Sequence, residues 1–181
     1  MKKLFIGALV GGILVFGWQT ASYTFLNLHA SEIMQVKNQD SVINSLSSMF
    51  SEEGQYFIPR TNDGASQKEM EELEKSMMGK PWAVVSYHKA YNADMMTNII
   101  RGILSAIIAV FFVCWVLMKQ TSTSSLTTFI SCLLIGVAGY LYIPYAGHIW
   151  MQTPGALQNL VDVIASWGLC GLWLGWWLNR K

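Results

Sequence analysis

The chain contains the stretch IIRGILSAIIAVFFVCWVLM at residues 99–118, and this stretch decides the fold class. A single charge, that of Arg101, interrupts it. About 20 apolar residues are needed to cross the hydrocarbon core of a bilayer, where lipid offers an unpaired backbone group no hydrogen-bond partner. The sequence therefore predicts a transmembrane helix here.

Three further apolar runs predict a mainly α, polytopic membrane protein with four transmembrane helices in a bundle. A small α+β extracytoplasmic domain is expected between helices 1 and 2. The predicted order is helix 1 at 4–26, the domain at 27–95, helix 2 at 96–118, a cytoplasmic loop at 119–125, helix 3 at 126–145, a short extracytoplasmic loop at 146–158 and helix 4 at 159–178.

The first run has two interpretations. Lys2 and Lys3 precede a short apolar core that ends in small residues at 20–22, and this pattern also fits a cleaved signal peptide. The apolar character continues as far as Leu28, which favours an uncleaved signal anchor. Helical spacing continues as well, so we expect the helix to run on toward Asn38.

The charges are segregated along the chain, and this segregation predicts its orientation. Ten of the eleven acidic residues lie between Glu32 and Asp94, whereas cations flank the apolar runs at Lys2, Lys3, Lys119, Arg180 and Lys181. Cytoplasmic ends of membrane helices carry an excess of Lys and Arg. Both termini are therefore expected in the cytoplasm and residues 27–95 outside it. The absence of any Asn-x-Ser/Thr acceptor favours a bacterial inner membrane.

Within the extracytoplasmic segment, periodicity predicts a helix near residues 42–50 and strands at 55–58 and 82–87. Ser66 followed by Glu69 is a capping box that begins another helix, and Gly79 with Pro81 stops it. About 70 residues without a disulfide form a marginal core. We therefore expect other surfaces to cover its apolar faces.

Small residues recur along the predicted membrane helices. Helices in lipid associate through close backbone approach at such positions, so we expect packing within the chain, with association through one such face as the alternative. The predicted packing positions are Gly7, Gly11, Gly136, Gly139, Gly168, Gly171 and Gly175.

Arg101 and Asp162 are the charges that fall inside the outer ends of the predicted helices. An ionisable residue within a membrane segment is a functional candidate by default. At this shallow depth we favour a structural ion pair between the two. A pathway for a proton or small solute is the alternative.

The histidines and cysteines show no spacing typical of metal or haem sites. His29, His88 and His148 are all expected outside the membrane, with Glu32 one turn after His29. Cys114, Cys132 and Cys170 lie in apolar runs and are expected as buried small hydrophobes. We predict neither a metal nor a cofactor.

Composition excludes some partners and leaves three functions open. Charged residues make up 13% of the chain, against about 25% in soluble proteins, and the net charge of +1 gives no basic surface for nucleic acid. The expected partners are the lipid bilayer and a protein or a second copy of the chain. A non-enzymatic accessory or assembly subunit of a membrane complex is favoured. The alternatives are a carrier using Arg101 and Asp162, and a membrane enzyme using a histidine with Glu32 or Asp162 at the outer interface.

Overall fold

The computed structural model describes residues 1–120 and 124–180, and 67% of the chain is helical. The mainly α prediction is therefore confirmed. The elements in chain order are α1 Lys2–Thr24, α2 Gln39–Met49, β1 Gly54–Ile58, α3 Gln67–Met77, β2 Ala83–Tyr87, α4 Met95–Leu117, α5 Ser125–Tyr140, a π-helical turn Leu141–Tyr145, α6 Ala146–Met151 and α7 Ala156–Asn179.

Four helices are long and apolar enough to cross a membrane, as expected of a multi-pass membrane protein. They are α1, α4, the continuous helix Ser125–Met151 formed by α5 and α6, and α7. Each agrees with one predicted apolar run. Of the predicted loop 119–125, residues 121–123 lie outside the described part of the chain.

The membrane-type helices form one compact unit, residues 1–34 and 93–181, and residues 35–92 form another. In the first unit α1 packs against α4 and α7, and α5 packs on the other side of α7. All three cysteines are buried in the core, as expected of small hydrophobes. They pack with Val110, Val113, Leu117 and Leu174.

Glycines on α1 allow its neighbours to approach closely. A Cβ added at Gly7 would lie 3.1 Å from Cys114 Sγ, and one at Gly11 would lie 2.8 Å from Val110 Cγ1. At Gly12 the added carbon would lie 2.6 Å from the backbone of Ile107. Such contacts are the means by which helices associate in the absence of a hydrophobic driving force.

The other predicted packing glycines divide into two groups. A Cβ added at Gly136 would contact the Trp167 side chain, one at Gly171 the backbone of Phe129, and one at Gly175 the backbone of Ser125. These three glycines therefore lie where α5 and α7 pack together. Gly139 has no neighbour within 4 Å, and the nearest atom to Gly168 is 3.8 Å away. The last two therefore do not set the spacing between described helices.

The structure differs from the predicted loop at 146–158. Pro144 removes a backbone donor, and the chain accommodates it by widening into the π-helical turn rather than by ending the helix. The helix continues to Met151, and the connection to α7 is confined to residues 152–155. Tyr140 then donates a 2.7 Å hydrogen bond to the Ala156 carbonyl at the start of α7.

The expected continuation of α1 toward Asn38 is also wrong. The helix ends at Thr24, and Asn27 adopts a left-handed conformation with φ of 50° that an α-helix cannot contain. Residues 25–34 form turns and belong to the unit that contains the membrane-type helices. This difference determines where His29 lies.

Residues 35–92 fold around a two-stranded sheet. β1 and β2 pair antiparallel with Tyr56 opposite Val85, close to the predicted strands. Ser66 forms the predicted capping box with Glu69 at the start of α3. Phe50, at the end of α2, stacks on Tyr56 with ring centroids 3.9 Å apart, and this aromatic contact links α2 to the sheet.

Candidate functional site: a histidine between two carboxylates

His29 lies in the turn that follows α1, and its side chain is 4% exposed. The turn is held by a 3.1 Å hydrogen bond from the backbone N–H of Leu28 to the Ser22 carbonyl. The left-handed residue Asn27 redirects the chain just before His29. The imidazole is thereby directed toward α7.

Two carboxylates from distant parts of the chain contact the two ring nitrogens. Nδ1 of His29 lies 2.5 Å from Oε1 of Glu32, and Nε2 lies 2.8 Å from Oδ2 of Asp162. Glu32 and Asp162 are each 15% exposed. The histidine therefore connects the turn after α1 to α7.

Two aromatic residues of α1 complete the site. The ring of Tyr23 stacks on His29 with centroids 3.8 Å apart and an interplanar angle of 1°. The indole N–H of Trp18 donates a 3.0 Å hydrogen bond to Oδ1 of Asp162. Both oxygens of Asp162 are therefore engaged, one by Trp18 and one by His29.

The first turn of α7 provides the surroundings of Glu32. Gly155, which caps this helix, has φ of 87°, and a Cβ added there would overlap the Glu32 carboxylate. Glycine is thus required both by the backbone and by the close approach. The carboxylate of Glu32 therefore lies against the N-terminal end of α7.

Hydrogen bonds to two ionised carboxylates require protons on both ring nitrogens, so His29 is an imidazolium in this arrangement. Burial disfavours its charge, but hydrogen bonds from the ring to Asp162 and Glu32, together with their negative charges, outweigh burial and raise the pKa of His29 above its ordinary value. No ring nitrogen remains free to accept a proton from a substrate. The cluster is therefore suited to holding charge rather than to general base catalysis.

The raised pKa of His29 predicts that the folded protein loses stability as the pH rises. The stabilisation is complete below the unfolded pKa of about 6.5 and disappears as the pH passes through the raised folded pKa. We expect the unfolding temperature in detergent to fall as the pH rises above about 6.5 and passes through the raised pKa of His29. The variant His29→Gln should show a flatter profile, and an equal slope in both proteins would contradict the prediction.

The predicted ion pair between Arg101 and Asp162 does not occur among the described residues. Asp162 faces His29 and Trp18 instead, and Arg101 is exposed in the second turn of α4. The physical reason is the helix order, because α1 packs against both α4 and α7. The turn that follows α1 therefore places His29, rather than Arg101, next to Asp162.

The other two histidines do not join this cluster. Nδ1 of His148 donates a 2.7 Å hydrogen bond to the Thr153 carbonyl, which links α6 to the residues that follow it. His88 is exposed and follows β2 in the second compact unit. Across residues 1–120 and 124–180 no three ligating side chains are grouped so that they would hold a metal ion.

The sequence did not identify Trp18, Tyr23 or Gly155 as parts of this site. The spacing of His29 and Glu32 was visible in advance, and Asp162 was considered as a partner of a histidine only in the enzyme hypothesis. Comparison of the chain with protein-family models, with curated proteins and with solved structures found no match.

Proposed function

We propose that this chain is a non-enzymatic multi-pass protein of a bacterial inner membrane that serves as an accessory or assembly subunit of a membrane complex. Residues 35–92 are the association domain. The observation that carries the proposal is that Tyr87 is the one buried residue of this segment, all of which the structure describes. A domain with so little core presents apolar surface to a partner.

The surface proposed for association is the apolar face of α2. Val42 and Met49 are 41% and 74% exposed, and Leu46 lies between them on the same face. Spacing at i, i+4 and i+7 is the pattern by which an amphipathic helix occupies a groove on another protein. Asp40 is the only charge of α2, whereas helices that bind membrane surfaces are rich in Lys and Arg. A protein groove therefore suits this face better than lipid does.

A photo-reactive amino acid at residue 42 tests this association in intact cells. We expect one discrete crosslinked product from Val42 and none from Asn44, which is exposed on the opposite side of α2. A product with the mass of a heteromeric pair supports the accessory role, and a product of twice the mass of the chain identifies a second copy as the partner. Equal, diffuse crosslinking from both positions contradicts the proposal.

The proposed orientation has both termini in the cytoplasm and residues 27–95 outside it. Lys3 donates from Nζ to the Arg180 carbonyl at 2.5 Å, so the start of α1 and the end of α7 lie at one end of the helices. The contacts of Gly7 with Cys114 and of Gly12 with Ile107 make α1 and α4 antiparallel, which brings Lys119 to the same end. Shared cations at one end support a cytoplasmic location for it.

Cysteine labelling tests this orientation. Native Cys114, Cys132 and Cys170 are each 0% exposed, so they give little background. A membrane-impermeant maleimide should label Ser66→Cys on intact spheroplasts and Gln120→Cys only after permeabilisation. The reverse pattern contradicts the orientation.

Two alternatives receive less support from the geometry. The carrier hypothesis used Arg101 with Asp162, and only Asp162 belongs to the charged cluster. The enzyme hypothesis required one of His29, His88 and His148 to exchange protons beside Glu32 or Asp162; His29 is the histidine that contacts these carboxylates, and both of its ring nitrogens are occupied. The accessory role relies on neither.

A further inference from the structure

A cavity of about 190 Å³ adjoins the histidine cluster between the end of α1, the π-helical turn and α7. Its lining includes Trp18, Gln19, Tyr23, Asn159, Asp162 and Ser166. Neither Lys nor Arg contributes to it, and Asp162 is its single carboxylate. We propose that this cavity binds a small organic cation, an ammonium group that carries a few carbon atoms. The proposal is independent of the association domain.

The charge of the cluster selects the sign of the ligand. One imidazolium and two carboxylates leave a net charge of −1 in a site where His29 is 4% exposed and each carboxylate 15% exposed. Charges that are partly removed from water are weakly screened and interact more strongly than surface charges. A cation in the cavity neutralises this excess, whereas an anion adds to it.

The aromatic residues favour an organic ammonium. Ring faces of Trp and Tyr attract cations, most strongly where water is displaced. One face of the Tyr23 ring stacks on His29, and the residue is nevertheless 47% exposed and contributes to the cavity lining. Asn159 and Ser166 add side-chain oxygens that accept hydrogen bonds from ammonium protons.

The size of the cavity argues against a bare metal ion. A cavity of about 190 Å³ exceeds what a dehydrated metal ion fills, and Asp162 is the single His, Cys, Asp or Glu residue of its lining. In the described part of the chain, moreover, no group of three His, Cys, Asp or Glu side chains has an arrangement that could hold a metal ion. An ammonium group with its carbon substituents matches the volume and the aromatic walls together.

The same ammonium chemistry has two sources, a free amine and the headgroup of an aminophospholipid. The full chain purified in detergent is titrated calorimetrically with ethanolamine hydrochloride and with tetramethylammonium chloride, against sodium chloride at equal ionic strength. We expect saturable binding of the organic cations only. The absence of saturable heat with both organic cations, together with a negative result in the lipid comparison below, overturns the proposal.

Two variants test the location of the site. Asn159→Leu reduces the polar lining and the free volume without touching the charged cluster, and Asp162→Asn removes the lining charge. Each should weaken binding about tenfold or more, equivalent to 1.4 kcal/mol. Thr20→Leu, at an exposed position of α1 outside the cavity, should stay within about twofold of the parent, because it loses no cavity contact. If Asp162→Asn does not fold, Asn159→Leu alone tests the location of the site. An affinity of Asn159→Leu equal to that of the parent chain contradicts the proposed location.

The lipid source is tested by unfolding the chain in nanodiscs of phosphatidylglycerol with and without phosphatidylethanolamine. A higher unfolding temperature with the aminolipid, lost in Asn159→Leu, identifies the headgroup as the ligand. Stabilisation by soluble ethanolamine without an effect of the aminolipid identifies a free amine. Stabilisation by neither overturns the proposal.

Discussion

Replacing His29 with leucine is expected to lower the free energy of unfolding by about 3 kcal/mol. The change removes the only cation of the cluster and leaves the Glu32 and Asp162 carboxylates without the group that hydrogen-bonds to both of them. Breaking a buried ion pair by removing one partner typically costs about 3 to 5 kcal/mol. We take the lower end because both carboxylates remain 15% exposed. Denaturant unfolding in detergent micelles, followed by circular dichroism, measures the loss.

Two exposed residues provide matched controls for this variant. His88→Leu replaces the same residue type outside the cluster, and Arg101→Ala removes the cation that the sequence had assigned to Asp162. Both should change stability by no more than about 0.5 kcal/mol, as exposed positions usually do. Adding Asp162→Asn to His29→Leu should recover part of the loss, because one uncompensated charge disappears. Strictly additive losses would show that His29 and Asp162 do not interact.

The main elements of the fold could be predicted because their signals are local. Length and low charge identify a membrane helix such as α4, since no other structure satisfies its backbone in lipid. The capping box at Ser66 marks the start of α3 through side-chain bonds that lie within one turn. Local signals misled only where the backbone departed from regular geometry, as at Pro144, where the helix widened instead of ending.

The candidate site depends on contacts that the sequence does not encode locally. His29 reaches Asp162 only because α1 stops at Thr24 and Asn27 turns the chain, whereas the apolar spacing favoured a longer helix. Judged only by its charge and its depth in the membrane, Arg101 was as good a partner for Asp162 as His29. Packing decides the order of the helices, and in this chain it places α1 against both α4 and α7. That order is not visible in one sequence.

Replacing Gly12 with alanine is expected to destabilise the chain by about 1 to 2 kcal/mol, although alanine is the better helix former. An added Cβ would lie 2.6 Å from the Cα atom of Ile107 and 2.7 Å from its nitrogen. These are backbone atoms of α4, so no rotamer change relieves the contact, and α1 and α4 must separate. The separation also removes dispersion contacts along the neighbouring core. The midpoint of denaturant unfolding in micelles measures the effect.

Gly17→Ala is the matched control on the same helix. Nothing lies within 4 Å of a Cβ added at Gly17, so this variant should gain up to about 1 kcal/mol from helix propensity without any steric cost. The two glycine-to-alanine changes are therefore expected to have opposite signs. If Gly12→Ala stabilises the chain as much as Gly17→Ala does, α1 and α4 do not approach each other at Ile107, and the position of α1 between α4 and α7 loses its support.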